Sequence, residues 1–431
     1  MNNKNVVNLK IDDIPTQWYN ILPDLPEPLP PPRDPEEGPS RVENLPNLLI
    51  QECLNQEFST QNWIDIPGEL LDLYIKAGRP RPLFRATNLE KRLETPARLY
   101  YKSEFFSPTG SHKVNTALAQ CYYAKKQGYE RVTTETGAGQ WGTALAYAAA
   151  LTGLKCTIYW VRSVYKWEKD RRSLMELFGA EVIASPSPKT NVGRALYEKD
   201  PEHVGSLGIA ISEGLEDAQN DPKAVYTLGS VLNQALLHQT IIGLETKKQF
   251  EIFDDYPDIM ISCLGGGSNF GDFVLPFVGD VLKKKKNIRF IAAQSEVAPN
   301  LQGEYRYDFA DYGEYTPLLK MYTLGHKVEM KPIKADGLRY HGCAPIISLL
   351  RHKGYIDTVA YPGDEKHVFE TARIFVETEG WLPAPESLYS VCCAIEEARK
   401  CKESGEEKVI AFNVSGHGFL DLPGYREVLG G

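Results

Sequence analysis

The chain has 431 residues, of which 42% are apolar and 24% charged, and a net charge of −9. A chain of this length can bury a large core and form two domains, and its acidic balance leaves no basic footprint for nucleic acid. Its eight cysteines contain no CxxC pair, which argues against a zinc or thioredoxin-type site, so no metal ligands are assigned.

The first residues, MNNKNVVNLKIDD, hold no apolar secretory core. No later stretch approaches the ~20 apolar residues of a membrane span. With cysteines sitting inside apolar runs, as Cys156 does, the expectation is a cytoplasmic protein with reduced core thiols and no membrane partner. From Pro23 to Pro39 there are eight prolines. Proline fixes φ and removes a backbone donor, so this segment is neither helix nor central strand. Trp18, Tyr19, Ile21, Leu22, Leu25 and Leu29 instead predict an extended strap lying on the globular body.

Beyond Pro96 the pattern alternates. A strand is predicted at Arg98 to Lys102, a helix from about Lys113 to Lys126, and a strand at Arg131 to Thr134. An Ala-rich helix follows at Thr143 to Leu151, then a strand at Lys155 to Val161. A helix ends at Phe178 and a strand runs from Glu181 to Ala184. Later strands are predicted at Asp258 to Leu264, Ile288 to Gln294 and Val409 to Val414. The run Lys283 to Lys286 reads as a solvated helix end. Short apolar strands alternating with helices imply parallel sheets covered on both faces. A break near 205–245 divides the strands into two α/β domains.

Ligands of such sheets sit beyond the carboxyl ends of strands. Three loops there carry chemistry. Lys113 opens a helix after Gly110, Ser111 and His112. The helix dipole disfavours a cation at that end. It is either an exposed lysine or an imine-forming one whose amine is made less basic by the helix end and burial. Glu135-Thr-Gly-Ala-Gly-Gln-Trp-Gly142 opens the Ala-rich helix with glycines that let a carboxylate approach backbone N–H groups. Cys263-Leu-Gly-Gly-Gly-Ser-Asn-Phe-Gly271 follows a buried strand, with Ser268 and Asn269 adding side-chain donors. It reads as a monophosphate cup, because it lacks the P-loop lysine and the dinucleotide spacing. Ser415, in Asn-Val-Ser-Gly-His-Gly418, is either a turn residue or a partner for a ring nitrogen.

Taken in order, GSHKVNTA, ETGAGQWG, GGGSN, GWLPAPES (380–387) and NVSGHG resemble the tryptophan synthase beta chain family. The resemblance runs from about Gly78 to Asp421. It implies a fold-type II pyridoxal-phosphate enzyme: two doubly wound parallel-sheet domains with the site between them. It places a Pro-rich extension at 1–45, one domain at 46–78 plus 112–230 with a mobile part near 128–215, and the other at 79–111 plus 231–431. It implies a lyase that makes tryptophan from indole and a serine donor, with pyridoxal 5′-phosphate and a family-typical monovalent cation. A homodimer, and a transient tryptophan synthase alpha chain or stand-alone action, are also implied. Lys113 would carry the cofactor as a Schiff base and move protons at the substrate α-carbon. His112, Gly265, Gly266, Gly267, Ser268 and Asn269 would hold the phosphate. Ser415 would face the ring nitrogen, with Glu386 nearby. Thr136, Gly137, Ala138, Gly139 and Gln140 would bind the amino-acid carboxylate. Glu135 would act as acid/base and orient indole. A sulfhydrylase, a serine/threonine deaminase and a non-catalytic scaffold are the competing readings.

Three departures stand out. The proline-rich extension resembles a divergent branch of the family. Arg339, in Gly337-Leu-Arg-Tyr-His341, replaces an aspartate that reads the hydroxyl of serine, and Trp167 falls where that aspartate's arginine partner would be. Trp141 replaces the usual histidine. A guanidinium gains more from a phosphate than from a hydroxyl. The expectation is therefore that O-phosphoserine is the preferred donor, its phosphate bound by Arg339.

Overall fold

A computed structural model describes residues 5–430. The start of the N-terminal segment, Met1 to Lys4, and Gly431 lie outside the described residues.

Two sheets organise the chain. The larger has the strand order Val6–Val7, Leu83–Arg85, Arg98–Ser103, Val409–Val414, Ile259–Cys263, Arg289–Ser295, Ile356–Tyr361. From Arg98–Ser103 onward every pair is parallel. The two short strands at the first edge are antiparallel. The smaller sheet, Glu181–Ser185, Lys155–Val161, Arg131–Thr136 and Ala224–Tyr226, is parallel throughout. Its last strand lies inside the 205–245 segment that the sequence pattern treats as a break. Three residues are too few to show a period.

Side chains of the central strands alternate between two cores, as a pleat requires. Ile259, Ile261 and Cys263 face one core, and Met260 the other. Ile410 and Phe412 share the first, Ala411 the second. The core that takes Met260 and Ala411 continues into the smaller sheet through Trp160, Ala144 and Ala148. The Ala-rich helix, Gln140–Thr152, is buried on all sides from Gln140 to Ala149. Small side chains are what such an all-round buried helix needs. A Cβ on Gly142 would lie only 3.0 Å from Ile158. The helix begins three residues before the predicted Thr143, because Gly139 starts it in the left-handed region at φ +90°.

The N-terminal segment crosses this core. Trp18, Tyr19 and Ile21 are buried in it, and Leu22, Leu25 and Leu29 pack against it. Tyr19 crosses the helix Ser268–Leu282 at Gly279, where a Cβ would lie 2.1 Å from the tyrosine oxygen. Tyr19 donates to Asp24 (2.5 Å), which also pairs with Lys283 at the end of that helix (2.6 Å). The segment is thereby tied to the helix that carries the GGGSN loop. A hairpin, Glu304–Phe309 with Leu318–Thr323, adds a wall that the sequence pattern does not announce.

Candidate active site

One cavity collects the carboxyl ends of strands from both sheets, as the strand-end rule predicts. Its lining includes His112, Lys113, Glu135, Thr136, Gly137, Ala138, Gln140, Gly265, Gly266, Gly267, Ser268, Asn269, Glu386 and Ser415. Gly139 and Arg339 are the two predicted site residues outside that lining.

Lys113 immediately precedes the helix Val114–Lys126. Its loop is zipped to the loop bearing Ser415: His112 N–H donates to Ser415 O (2.9 Å) and His417 N–H to Gly110 O (2.7 Å). The Lys113 ammonium donates to Gly229 O (3.0 Å) and reaches Ser268 Oγ at 3.4 Å. Burial lowers its pKa to about 8, against the attraction of Glu135, Asp272 and Glu386. The exposed-lysine alternative therefore does not describe this residue. Beside it, His112 Nδ1 lies 2.7 Å from Asp272 Oδ2. Burial pushes the histidine pKa well down and the aspartate pKa well up. The pair is held together as a neutral unit.

Two sets of backbone N–H groups flank Lys113. In the first, no acceptor among the described residues meets the N–H groups of Gly137, Ala138, Gly139 or Gln140 at the start of a 13-residue helix. The loop is fixed from behind. Trp160 Nε1 donates to Gly137 O (2.6 Å), and a Cβ on Gly139 would lie 2.6 Å from the same indole. Thr136 Oγ1 accepts from Gly142 N–H (3.1 Å), so this hydroxyl caps the helix and the backbone is left to face a ligand. Gln140 donates to Glu386 (2.8 Å), whose other oxygen accepts from Gly337 N–H (3.0 Å). Burial and then Asp421 raise the Glu386 pKa.

In the second set, the N–H groups of Gly265, Gly266 and Gly267 likewise meet no acceptor among the described residues. No larger residue fits: a Cβ on Gly265 would lie 2.2 Å from Gly337 O, and one on Gly266 2.7 Å from Ser230 Oγ. Ser268 N–H donates to Ser230 Oγ (3.1 Å). Asn269 departs from the expected side-chain donor. Its amide donates to Ser262 Oγ (2.7 Å) and Cys263 O (3.1 Å) and accepts from Asn413 (2.8 Å). It anchors the loop to two strands, leaving its backbone N–H for a ligand. Buried, unpartnered donors in a side-chain-free cradle fit a phosphate.

Ser415 Oγ lies 2.8 Å from Ser387 Oγ, which itself accepts from Gly416 N–H (3.0 Å). When Ser387 donates onward, the Ser415 proton is free for the cavity. A lysine amine, a phosphate cradle and a neutral donor thus converge. This donor set fits pyridoxal 5′-phosphate.

Glu135 is buried on the smaller sheet. Burial raises its pKa to about 7, opposed by donors from Tyr226 and Thr134. Tyr226 Oη donates a short bond to it, and Thr134 Oγ1 lies 3.2 Å away. Trp141 Nε1 donates to Thr134 Oγ1 (2.6 Å), and its ring lies against Gly229, where a Cβ would come within 2.6 Å. Trp141 therefore supports both the glutamate and the carbonyl that Lys113 addresses. Tyr226 leaves almost no mark in the sequence, being an aromatic residue that ends a three-residue strand. Nor does the sequence pattern announce the apolar side of the cavity, which includes Leu48, Leu49, Leu54, Ile211 and Leu319.

Arg339 is buried elsewhere. It donates from Nε to Asp336 Oδ1 (2.5 Å), from Nη1 to Met330 O (3.2 Å) and from Nη2 to Ser163 Oγ (3.2 Å). The physical reason is local: Asp336–Leu338 form a 3₁₀ turn that puts Arg339 three residues after its partner, folded back over the turn. Trp167 does not face a vacancy, since the Lys334 ammonium lies 4.7 Å from its ring centre.

A family profile described as pyridoxal-phosphate dependent enzyme matches residues 75–416. The tryptophan synthase beta chain 2 of Methanothermobacter thermautotrophicus is 54% identical over 428 residues, covering 99% of each chain. That of Pyrococcus abyssi is 55% identical over 420 residues, covering 97% of this chain and 95% of its own. Among solved structures, an L-serine ammonia-lyase from Rhizomucor miehei superposes with a TM-score of 0.61 at 17% identity, covering 81% of this chain and 97% of its own. Threonine deaminase isoform 2 from Solanum lycopersicum gives 0.60 at 14% identity, covering 94% and 98%. At such identities these two likenesses speak for the fold alone.

Proposed function

The chain belongs to the pyridoxal-phosphate-dependent enzyme family, and from that premise we propose that it forms L-tryptophan by β-replacement, joining indole to the three-carbon unit of L-serine or O-phospho-L-serine. The observation that carries this reading is the meeting of Lys113 and buried Glu135 in one cavity with an apolar side. Pyridoxal 5′-phosphate, when bound, supplies an electron sink for the donor α-carbon. Gly265, Gly266 and Gly267 would hold its phosphate beside His112 and Ser268, and Ser415 its ring nitrogen. A neutral serine there would leave the bound ring a moderate sink, enough for elimination and replacement at the β-carbon.

The remaining work falls to the chain. The N–H groups of Gly137 to Gln140 bind the donor carboxylate at a helix N-terminus. Lys113, with its amine near neutrality, takes and returns the proton at the donor α-carbon. Leucines of the apolar side seat indole and exclude water. Glu135 accepts a hydrogen bond from the indole ring N–H, which tryptophan retains, and so turns C3 toward the donor's β-carbon. As acid/base it protonates the departing β-substituent and, as carboxylate, takes up the proton that C3 loses when the C–C bond forms. The homologues' description as beta chains supports an alpha-chain partner, and the family resemblance implies a homodimer; sizing the protein alone and with an alpha chain tests both. No helix among the described residues is long and apolar enough to cross a membrane.

The test is direct. The purified protein, loaded with cofactor, is given indole with each donor, and products are separated by chromatography. Tryptophan is expected. Pyruvate and ammonia alone would replace the reading with a deaminase.

A pH profile probes Glu135. As a proton acceptor it works as carboxylate, so kcat/KM for indole should fall below about pH 7, where burial has placed its pKa. Tyr226→Phe removes a donor that favours the charged form. Such a bond is worth about 1.5–3 kcal/mol, so the limb should move up by about one pH unit or more. An unmoved limb would assign the ionisation to another group.

A further inference from the structure

We propose that His367, Cys392 and Glu396 form a metal site for zinc, or a divalent transition ion of similar softness, beside the larger sheet and apart from the cofactor cavity. None of the three lines that cavity, so the proposal stands independently of the tryptophan-forming reading.

Two packed helices bring the ligands together. His367 is the second residue of the helix Lys366–Glu379, which follows the strand Ile356–Tyr361. Cys392 and Glu396 lie on the helix Pro385–Ser404. Their i, i+4 spacing puts both on one helix face. His367 Nε2 lies 3.1 Å from Glu396 Oε1, and Cys392 Sγ lies 3.9 Å from the same oxygen. All three ligand atoms fall within 4.8 Å of one another. Around one tetrahedral zinc, with bonds of about 2.0–2.3 Å, such atoms stand about 3.3–3.6 Å apart. Closing the set therefore asks only for side-chain rotation, chiefly of His367, which is half exposed and free to turn.

Tyr361 sets the carboxylate. Its hydroxyl donates to Glu396 Oε2 (2.7 Å), which leaves Oε1 turned toward the histidine and the sulfur. Its ring lies 28° from parallel with that of His367. Outer partners of this kind orient metal ligands. A histidine–glutamate ion pair needs no third group, yet the buried Cys392 sulfur meets the same oxygen. Sulfur and imidazole select a zinc-class ion, whereas calcium and magnesium want oxygen. One thiolate and one carboxylate balance the two charges of the ion. The Cys392 thiol proton leaves to solvent as the metal–sulfur bond forms. His367 and Glu396 are 48% and 32% exposed, so the ion enters from the solvent side and keeps a fourth position there. Cysteine spacing assigns no metal ligands because this set uses one cysteine and takes its histidine from another helix.

The test titrates the cofactor-loaded protein, freed of metal with a chelator, first with zinc by equilibrium dialysis and then with cobalt(II) as a coloured probe. Wild type should bind one zinc per chain at this site, and its cobalt form should show a thiolate-to-metal band in the near ultraviolet. Tyr361→Phe, which frees the carboxylate, should weaken zinc binding about 10- to 100-fold. His367→Ala and Glu396→Gln, each removing a ligand, should weaken it by more. Cys392→Ser should erase the thiolate band, and Cys393→Ser, its neighbour outside the set, should leave it. Because His367 is half exposed, its variant should fold and stay active, so a fall in affinity there reads the ligand and not the fold. Absence of zinc binding in wild type overturns the proposal. So does zinc affinity that His367→Ala leaves unmoved, or a thiolate band that survives Cys392→Ser.

Discussion

Replacing Lys113 with alanine is expected to abolish tryptophan formation, with a loss beyond about 10³-fold. Proton transfer by a positioned side chain contributes about 10²–10⁴-fold by itself, and in the proposed role Lys113 would also supply the nucleophile that fixes the cofactor. Borohydride treatment of the loaded protein should fix cofactor mass on the peptide bearing Lys113 in wild type and nowhere in the variant. Folding does not explain the loss. The folded pKa of about 8 lies below the ordinary lysine value. Between these two pH values the unfolded chain binds more protons, so stability of the cofactor-free protein rises with pH across that window. Below pH 8 the folded state bears the whole cost of the buried ammonium. Alanine removes that cost, so the cofactor-free variant should melt no lower than wild type at pH 7. Full activity in Lys113→Ala, or cofactor fixed to another lysine, would refute the assignment.

The parts of this protein that could be read without coordinates are those whose chemistry is local. Glycines after an apolar strand mean bare backbone. At Gly265 and Gly266 the structure supplies the reason, since any Cβ would strike Gly337 O or Ser230. The apolar runs at Ile259–Cys263, Arg289–Ser295 and Val409–Val414 form a two-sided buried sheet because parallel strands must be covered on both faces. What could not be read depends on which way a side chain turns. Arg339 and Asp336 are three residues apart, and the sequence shows only that a cation stands where a family aspartate would. A 3₁₀ turn decides that the cation faces inward and the carboxylate outward. Asn269 is similar: an amide beside a phosphate cup suggests a donor, yet Ser262, Cys263 and Asn413 claim it. Tyr226 reaches Glu135 only because the strand Ala224–Tyr226 lies beside Arg131–Thr136, a pairing of residues roughly ninety apart. The antiparallel edge strands and the hairpin were hidden for the same reason, being too short or too irregular to carry a period.

Glu135→Gln should cost about 10²–10⁴-fold in turnover with indole, the usual contribution of a general acid or base. Glutamine fills the same volume and can still accept from Tyr226, so the pocket should keep its shape. What it loses is the carboxylate charge that holds the indole ring N–H and takes up the proton C3 gives up as the C–C bond forms. The loss should therefore fall on kcat, while KM for the donor, which the proposal assigns to the N–H groups of Gly137 to Gln140, changes little. The stability change separates this from misfolding. Burial raises the Glu135 pKa to about 7, above that of a free glutamate. The folded state binds more protons between the two values, so wild-type stability declines as pH rises through that window, and the penalty is complete above pH 7. Glutamine carries no such penalty, and the variant should be more stable than wild type at pH 8 but not at pH 4. Lys113 and Glu135 then behave alike: each is held in an unfavourable charge state by burial, each partly relieves the other by attraction, and removing either should trade activity for stability. A Glu135→Gln enzyme that keeps wild-type kcat, or that loses stability at pH 8, would place the base elsewhere in the cavity.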